Sequence, residues 1–218
     1  MNATAPRRWV SWIERAAALA GLGVVAWAAI TAWGAIIHGH PAYAILLGVV
    51  GAVAVIVLVV AGRRGGVHPV IPPIGAGLGI FLVALTPWLR PFPAGEAALT
   101  ALEPDAAVTV VETPTLLILE PVSGASTTGL VFQPGARVDP RAYAAVLRPV
   151  AEAGYPVVIV KQPLAIGFLA LGAVDQARAA VPDVTGWVVG GHSLGGTVAA
   201  IDADAEQDAA DAPTVGLL

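Results

Sequence analysis

The stretch most able to do chemistry is Gly191-His192-Ser193-Leu194-Gly195, which fits the spacing G-x-S-x-G. "WVVG" before it reads as a strand and "GTVAAI" after it as a helix. A serine on a tight strand-to-helix turn lifts its hydroxyl above the sheet, where it can attack an acyl carbon. Small residues two before and two after keep the neighbouring backbone clear of the turn. The helix that begins beside Ser193 aims unpaired N–H groups and its positive dipole end at a developing oxyanion. A packing turn would require neither flank. A phosphate loop would require G-x-x-x-x-G-K-[ST], and the sole lysine of the chain, Lys161, lies upstream.

A serine hydroxyl is a weak nucleophile without a base. The histidines are His38, His40, His68 and His192. The first three sit at breaks between apolar runs far upstream. His192 immediately precedes the serine, and the turn is expected to aim its ring away from the hydroxyl, into a packing or hydrogen-bonding role. "DADAEQDAADAP" supplies Asp202, Asp204, Glu206, Asp208 and Asp211. It lacks the central glycine and terminal glutamate of a calcium loop, so it reads as a solvated helix end and a loop. These carboxylates follow the nucleophile's helix, not a later strand, and are not expected to act as its acid partner. His38 and His40, at i and i+2 with no third ligand, read as an interfacial loop. No metal or cofactor is expected.

The elements that must position the serine are legible upstream. "AVTVVET", "TLLILEP" and "TGLVFQP" are short strand patterns bounded by Pro, Gly and Ser. "DPRAYAAVLRPVAEAG" predicts a helix capped by Asp139, with Pro140 in its first turn and Gly154 at its end. "YPVVIVKQP" is the continuous apolar run of a buried parallel strand. "GFLALGAVDQARAAVPD" predicts a second helix, "GWVVGG" a strand and "SLGGTVAAIDADA" a third helix. Alternating strands and helices predict an α/β domain with a mostly parallel sheet covered on both faces.

These blocks resemble the amino-terminal half of an α/β-hydrolase of the small bacterial serine-hydrolase type. The residues that carry the likeness are "GLVFQPGARVDPRAYAAVLRPVAEAGYPVVIVKQPL" and, some 27 residues on, "GGHSLGG". The resemblance implies Ser193 as nucleophile and the backbone N–H groups of Leu194 and Ala136 as the oxyanion hole. "PGA" stands where the family often has His-Gly-x, so Pro134 replaces a histidine, which leaves a backbone donor intact. It implies a small-molecule ester or acyl substrate. The family's acid and histidine lie on loops of later strands, so the reading is of a carboxy-terminally incomplete domain. On that reading Pro91–Leu218 is expected not to fold stably alone, because "TVGLL" opens a further strand.

Composition places this domain behind a membrane region. The 218 residues are 57% hydrophobic and 12% charged, against about 25% charged in average globular chains. Residues 1–90 hold six basic residues and one acidic, Glu14, while residues 91–218 hold five basic and fourteen acidic. With no basic patch in that second part, nucleic-acid binding is excluded as an expectation. The absence of cysteine rules out disulfides and thiolate chemistry.

Ala16–Ile37, Ala42–Gly62 and Val70–Leu89 each approach the ~20 apolar residues of a bilayer-crossing helix, with Trp9, Trp12, Trp33 and Trp88 near their ends. The expected organisation is thus a three-helix transmembrane region over 1–90, a linker over 91–105 and the hydrolase domain over 106–218. A cleaved signal peptide is the poorer reading, since two further spans follow the first. Arg7, Arg8 and Arg15 before the first span, and Arg63 and Arg64 after the second, put the amino terminus in the cytoplasm and the domain outside it. The expected protein is a multi-pass serine hydrolase anchored in the cell membrane, in contact with bilayer lipid. The alternative is a non-catalytic membrane protein that uses a hydrolase-like domain for binding or assembly.

Overall fold

The computed structural model describes residues 5–63, 73–207 and 215–217, with side chains for 10–63 and 74–205. The chain forms two compact units: residues 1–33 with 43–90, and residues 34–42 with 91–218.

The first unit is helical: α1 (Ala5–Ile37, its last turn in the second unit), α2 (Pro41–Arg63) and α3 (Pro73–Trp88). Ile30, Ile45, Ile56 and Phe81 are exposed, while Ala18, Ala28 and Ala54 are buried together with Leu47, Val50 and Val57. Small residues at such contacts let helix backbones approach closely. At Gly21 an added Cβ would lie 3.2 Å from Val83 Cγ2 and 3.4 Å from Val50 Cγ1, so the three helices meet over a bare backbone. Arg15 Nη2 donates to Ala61 O at 2.9 Å, satisfying a carbonyl in the last turn of α2. Tyr43 donates to Thr86 O at 3.0 Å.

Two helices among the described residues are long and apolar enough to cross a membrane, Val10–Ile37 and Pro41–Arg63. That corrects the expectation of three. The expected span Val70–Leu89 is helical over Pro73–Trp88, 16 residues, which reach about 24 Å at 1.5 Å per residue against a hydrocarbon core of about 30 Å. Val70, Ile71 and Pro72 lie outside the described residues. Trp12, Trp33 and Trp88 are exposed.

The second unit is an α/β domain. Its sheet contains β1 (Val108–Glu112), β2 (Leu116–Pro121), β3 (Thr128–Gln133), β4 (Val157–Val160), β5 (Gly186–Gly191) and β6 (Val215–Leu217), in the order β1-β2-β4-β3-β5-β6. The sheet is mixed, not mostly parallel. β1 pairs antiparallel with β2 and β2 antiparallel with β4, while β4, β3, β5 and β6 run parallel. The reason is local. "TPT" joins β1 to β2 as a tight hairpin, which forces antiparallel pairing, whereas helices carry the crossovers from β3 to β4, β4 to β5 and β5 to β6.

Between the remaining elements lie α4 (Glu96–Thr100), α5 (Ala144–Glu152), α6 (Ala173–Ala180) and α7 (Leu194–Gln207). Leu147 and Ala151 of α5 pack with Val108, Leu117, Leu119, Leu130 and Ile159 on one face of the sheet. The other face packs Val131, Val158, Trp187 and Val189 against Val174 and Ala177 of α6 and Ala199 and Ala203 of α7. With helices on both faces, every residue of β4 is buried.

Two helix expectations change in detail. Asp139 does cap the predicted first helix, accepting from Arg141 N at 3.0 Å, but a 3-10 turn over Pro140–Tyr143 precedes α5. The predicted second helix shortens to Ala173–Ala180, with 3-10 turns upstream, because Gly172 takes φ +76° and breaks the helical path. The stretch expected to be a plain linker contains α4, and Phe92 pairs with the loop after β3: its N–H donates to Arg137 O at 2.6 Å and its carbonyl accepts from Asp139 N at 2.9 Å.

The turn between α1 and α2 belongs to the domain unit. His38 Nδ1 lies 3.0 Å from Glu112 Oε2, and Lys161 Nζ donates to Glu112 Oε1 at 2.7 Å and to Thr113 O at 2.6 Å. Burial opposes ionisation of Glu112, but the bonds from Lys161 and His38 outweigh it and hold the carboxyl below its ordinary value of 4.5. Burial, aided by the Lys161 charge, holds His40 below 6.5. Both groups bind a proton more readily in the unfolded chain. Their stabilisation is therefore complete above those ordinary values and is lost as the pH falls through the folded ones. The melting temperature of the full chain in micelles should fall first below about pH 6.5 and again below about pH 4.5. Glu112→Gln should remove the second fall; a flat profile from pH 7 to 4 would refute this account of the turn.

Candidate functional site

Ser193 stands at the turn between β5 and α7 with φ +55°, the left-handed region that a non-glycine residue adopts only when its surroundings impose it. The surroundings are specific. A Cβ on Gly191 would strike the backbone of Gly195, and a Cβ on Gly195 would strike the carbonyls of Gln133 and Pro134 at the end of β3. The first turn of α7 is thus pressed against the loop after β3, with no room for any side chain on that face. His192 N donates to Gln133 O at 3.1 Å, fastening the end of β5 to that of β3.

The structure brings together the residues that the sequence singled out. Ser193 is exposed, and its side chain has no hydrogen-bond partner among the described residues. The N–H groups of Leu194 and Ala136 likewise have no acceptor among the described residues, although their neighbours do: Gly195 N bonds to His192 O at 2.9 Å, and Arg137 N to Ala165 O at 2.7 Å. Two free backbone donors on the loops flanking an exposed serine can hold an anionic oxygen.

His192 takes the hydrogen-bonding role expected of it. Its Nδ1 lies 3.0 Å from the Tyr143 hydroxyl, which accepts from Gly135 N at 2.9 Å and keeps its own hydrogen for the imidazole. Tyr143 packs on Phe132 with ring centroids 4.8 Å apart, and burial, against the bond from Gly135, raises its pKa above 10.0. The pair braces the elbow against the loop that carries Ala136. At Gly135 the approach is so close that a Cβ would come within 2.7 Å of His192 Nδ1.

Neither His38 nor His40 is joined to this site; His38 pairs with Glu112, and His68 lies outside the described residues. No group of three or more His, Cys, Asp or Glu side chains that could hold a metal occurs among the described residues.

Three residues beneath the site were missed. Asp202, read as part of a solvated helix end, is 4% exposed. Its Oδ1 accepts from Gly172 N at 2.9 Å and its Oδ2 from Gln133 Nε2 at 3.0 Å. Gln162 Nε2 donates to Gln133 Oε1 at 2.9 Å and to Pro134 O at 3.0 Å. The helical period could have found Asp202, since 195, 198, 199 and 202 share the face of α7 that packs on the sheet. Asp204 is exposed as expected, and Asp208 and Asp211 lie outside the described residues.

An exposed serine on a strained strand-to-helix turn, in an α/β sheet with helices on both faces, defines an α/β-hydrolase-like domain. Residues 129–213 match the model of the alpha/beta hydrolase family. A solved structure titled "Bacterial Heroin Esterase" is similar over 56% of this chain and 47% of its own, with 16% identity and a TM-score of 0.38. The chain therefore spans about half the length of that structure. No curated protein matches the chain.

Two substitutions test the brace and the buried network. Tyr143→Phe leaves Gly135 N–H and His192 Nδ1 unpaired, and Asp202→Ala leaves Gly172 N–H and Gln133 Nε2 unpaired. Each should destabilise the chain by about 1–3 kcal/mol, read by urea unfolding followed by circular dichroism. No loss of stability in Asp202→Ala would show that its carboxylate is not part of the folded network.

Proposed function

We propose that this chain carries the nucleophile and oxyanion hole of a membrane-anchored serine hydrolase that cleaves a carboxylic ester or similar acyl bond. The observation that carries the reading is Ser193 held at φ +55°, exposed, with unengaged N–H groups on Leu194 and Ala136 beside it. Ser193 Oγ attacks the carbonyl carbon, its proton passes to a base, and the two N–H groups hold the oxyanion. The carbonyl re-forms as the C–O bond to the alcohol breaks and the alcohol takes up the proton. Water then releases the acyl group from the serine. The base is an imidazole supplied from outside the described residues, as the resemblance implies.

One observation favours the second reading, a non-catalytic binding domain: no base is hydrogen-bonded to Ser193 among the described residues. The two readings separate under a fluorophosphonate at alkaline pH, where hydroxide takes the serine proton and fluoride leaves phosphorus. The hydrolase reading expects one adduct, on Ser193 and absent from Ser193→Ala. Adducts spread over several serines, or none, would favour the binding domain. With no base bonded to Ser193 among the described residues, the chain should turn over a small activated ester only in trace. Robust turnover lost in Ser193→Ala would reveal a base that this account omits.

For the membrane, the proposal retains anchoring through the apolar helices and a domain outside the cytoplasm. A reporter active only outside the cytoplasm, fused after Leu102, should be active; activity of a cytoplasm-only reporter there would overturn the topology.

A further inference from the structure

Among the described residues, the non-glycine residues in the left-handed region all lie on the loops that leave β3, β4 and β5. Besides Ser193 they are Arg137 at φ +64°, Leu164 at +52° and Ala165 at +54°. Arg137 N donates to Ala165 O at 2.7 Å, so the turn after β4 holds the loop after β3 one residue beyond Ala136. On the other side of Ala136, Gln162 Nε2 donates to Pro134 O at 3.0 Å. The segment after β4 thus grips both flanks of Ala136 and leaves the N–H between them without an acceptor among the described residues.

This grip is costly. Backbone strain of this kind persists only where the surroundings impose it, and it gathers at functional sites. Gln162, 4% exposed, also keeps its Oε1 without a hydrogen-bond partner among the described residues. Neither feature adds stability.

The direction of the Gln162 amide is set from beneath. Both oxygens of Asp202 face N–H donors, Gly172 N at 2.9 Å and Gln133 Nε2 at 3.0 Å, and a carboxylate only accepts. Gln133 must therefore point its amino group at Asp202, where it also donates to Ala170 O at 3.2 Å. Its Oε1 is left to face Gln162, which answers with Nε2 at 2.9 Å. The second hydrogen of that amino group goes to Pro134 O. Turned over, either amide would set acceptor against acceptor. The chain also folds closely over Gln162: a Cβ on Gly167 would lie 3.3 Å from its Nε2 and 2.9 Å from Val198 Cγ2.

We propose that Asp202, Gln133 and Gln162 form a directional relay that positions the oxyanion hole. The carboxylate orients two amides in series, and the second holds Pro134 so that Ala136 N–H faces the oxygen that gains charge when Ser193 attacks. Gln162 is a positioning residue; it acts through Pro134 and touches no reacting atom. The catalytic consequence rests on the hydrolase reading, whereas the direction of the relay does not. In Asp202→Asn the side-chain oxygen still accepts from Gly172 N, and the new amino group meets that of Gln133. Gln133 then turns over, Gln162 Oε1 gains a donor, and Pro134 O loses its own.

Gln162→Leu removes the last link of the relay, and Asp202→Asn reverses the first at constant volume. Each is made in the full chain in micelles, in two backgrounds. With Ser193 present, a small fluorophosphonate at alkaline pH builds negative charge on its phosphoryl oxygen and so draws on the hole. With Ser193→Cys, the chain has a single thiol, which iodoacetamide alkylates: sulfur bonds to carbon, iodide leaves with the charge, and no oxyanion forms. Both variants should slow phosphonylation at least tenfold and alkylation less than twofold. Asp202→Asn decides the matter if Gln162→Leu does not fold. Unchanged phosphonylation, or equal falls in the two reactions, would overturn the proposal.

Absence of a Ser193 adduct in the parent chain would refute the hydrolase reading instead. The relay is then read from deuterium exchange at the Arg137 amide, which the grip protects. Exchange at least tenfold faster in Asp202→Asn is expected, and unchanged exchange would overturn the relay.

Discussion

The turn from β5 into α7 sets the terms for the rest of the domain. Ser193 can occupy the left-handed region only while something holds it there, and what holds it is contact between bare backbones. Gly195 lies against the carbonyls of Gln133 and Pro134, and Gly191 against Gly195, so that a single Cβ at either glycine would separate α7 from the end of β3. The strain at the serine and the closeness of the two loops are one fact. Together they press the turn that carries Ser193 against the loop that leads to Ala136.

Such a contact leaves polar backbone in a dry place, and the structure satisfies it with side chains from distant parts of the chain. Gln133, fully buried at the end of β3, is held by Asp202 from α7 and by Gln162 from the segment after β4; Gln162 also bonds the Pro134 carbonyl. Asp202 caps Gly172 as well, so one carboxylate fastens α7 both to β3 and to the start of α6. Tyr143 does the same work above the sheet, joining Gly135 to His192. In a buried setting each of these groups is worth most when all its partners are present, and the loop carrying Ala136 is therefore fixed from three directions.

The same edge of the domain receives the chain from the helical segments. Glu112 is shared between Lys161 and His38, so a side-chain hydrogen bond fastens the turn between the first two helices to the end of β1.

The sequence by itself determined the elements with a strong local period or an unusual composition. The continuous apolar run of β4, the strand and helix flanking G-x-S-x-G, the cap at Asp139 and the two longest apolar helices were all legible, because each depends on neighbours within a few residues. Tertiary structure decided the rest. The antiparallel placement of β2 beside β4, the break in the predicted helix at Gly172 and the helix inside the expected linker depend on partners far along the chain. Asp202 looked like one of five solvated carboxylates, and only its position beneath Gln133, 69 residues upstream, makes it a buried cap. His192 was legible as a residue in a packing or hydrogen-bonding role, but not as Tyr143's partner across 49 residues. A pattern of residue types fixes local conformation; which polar groups meet in a dry interior is fixed only when the sheet brings distant segments together.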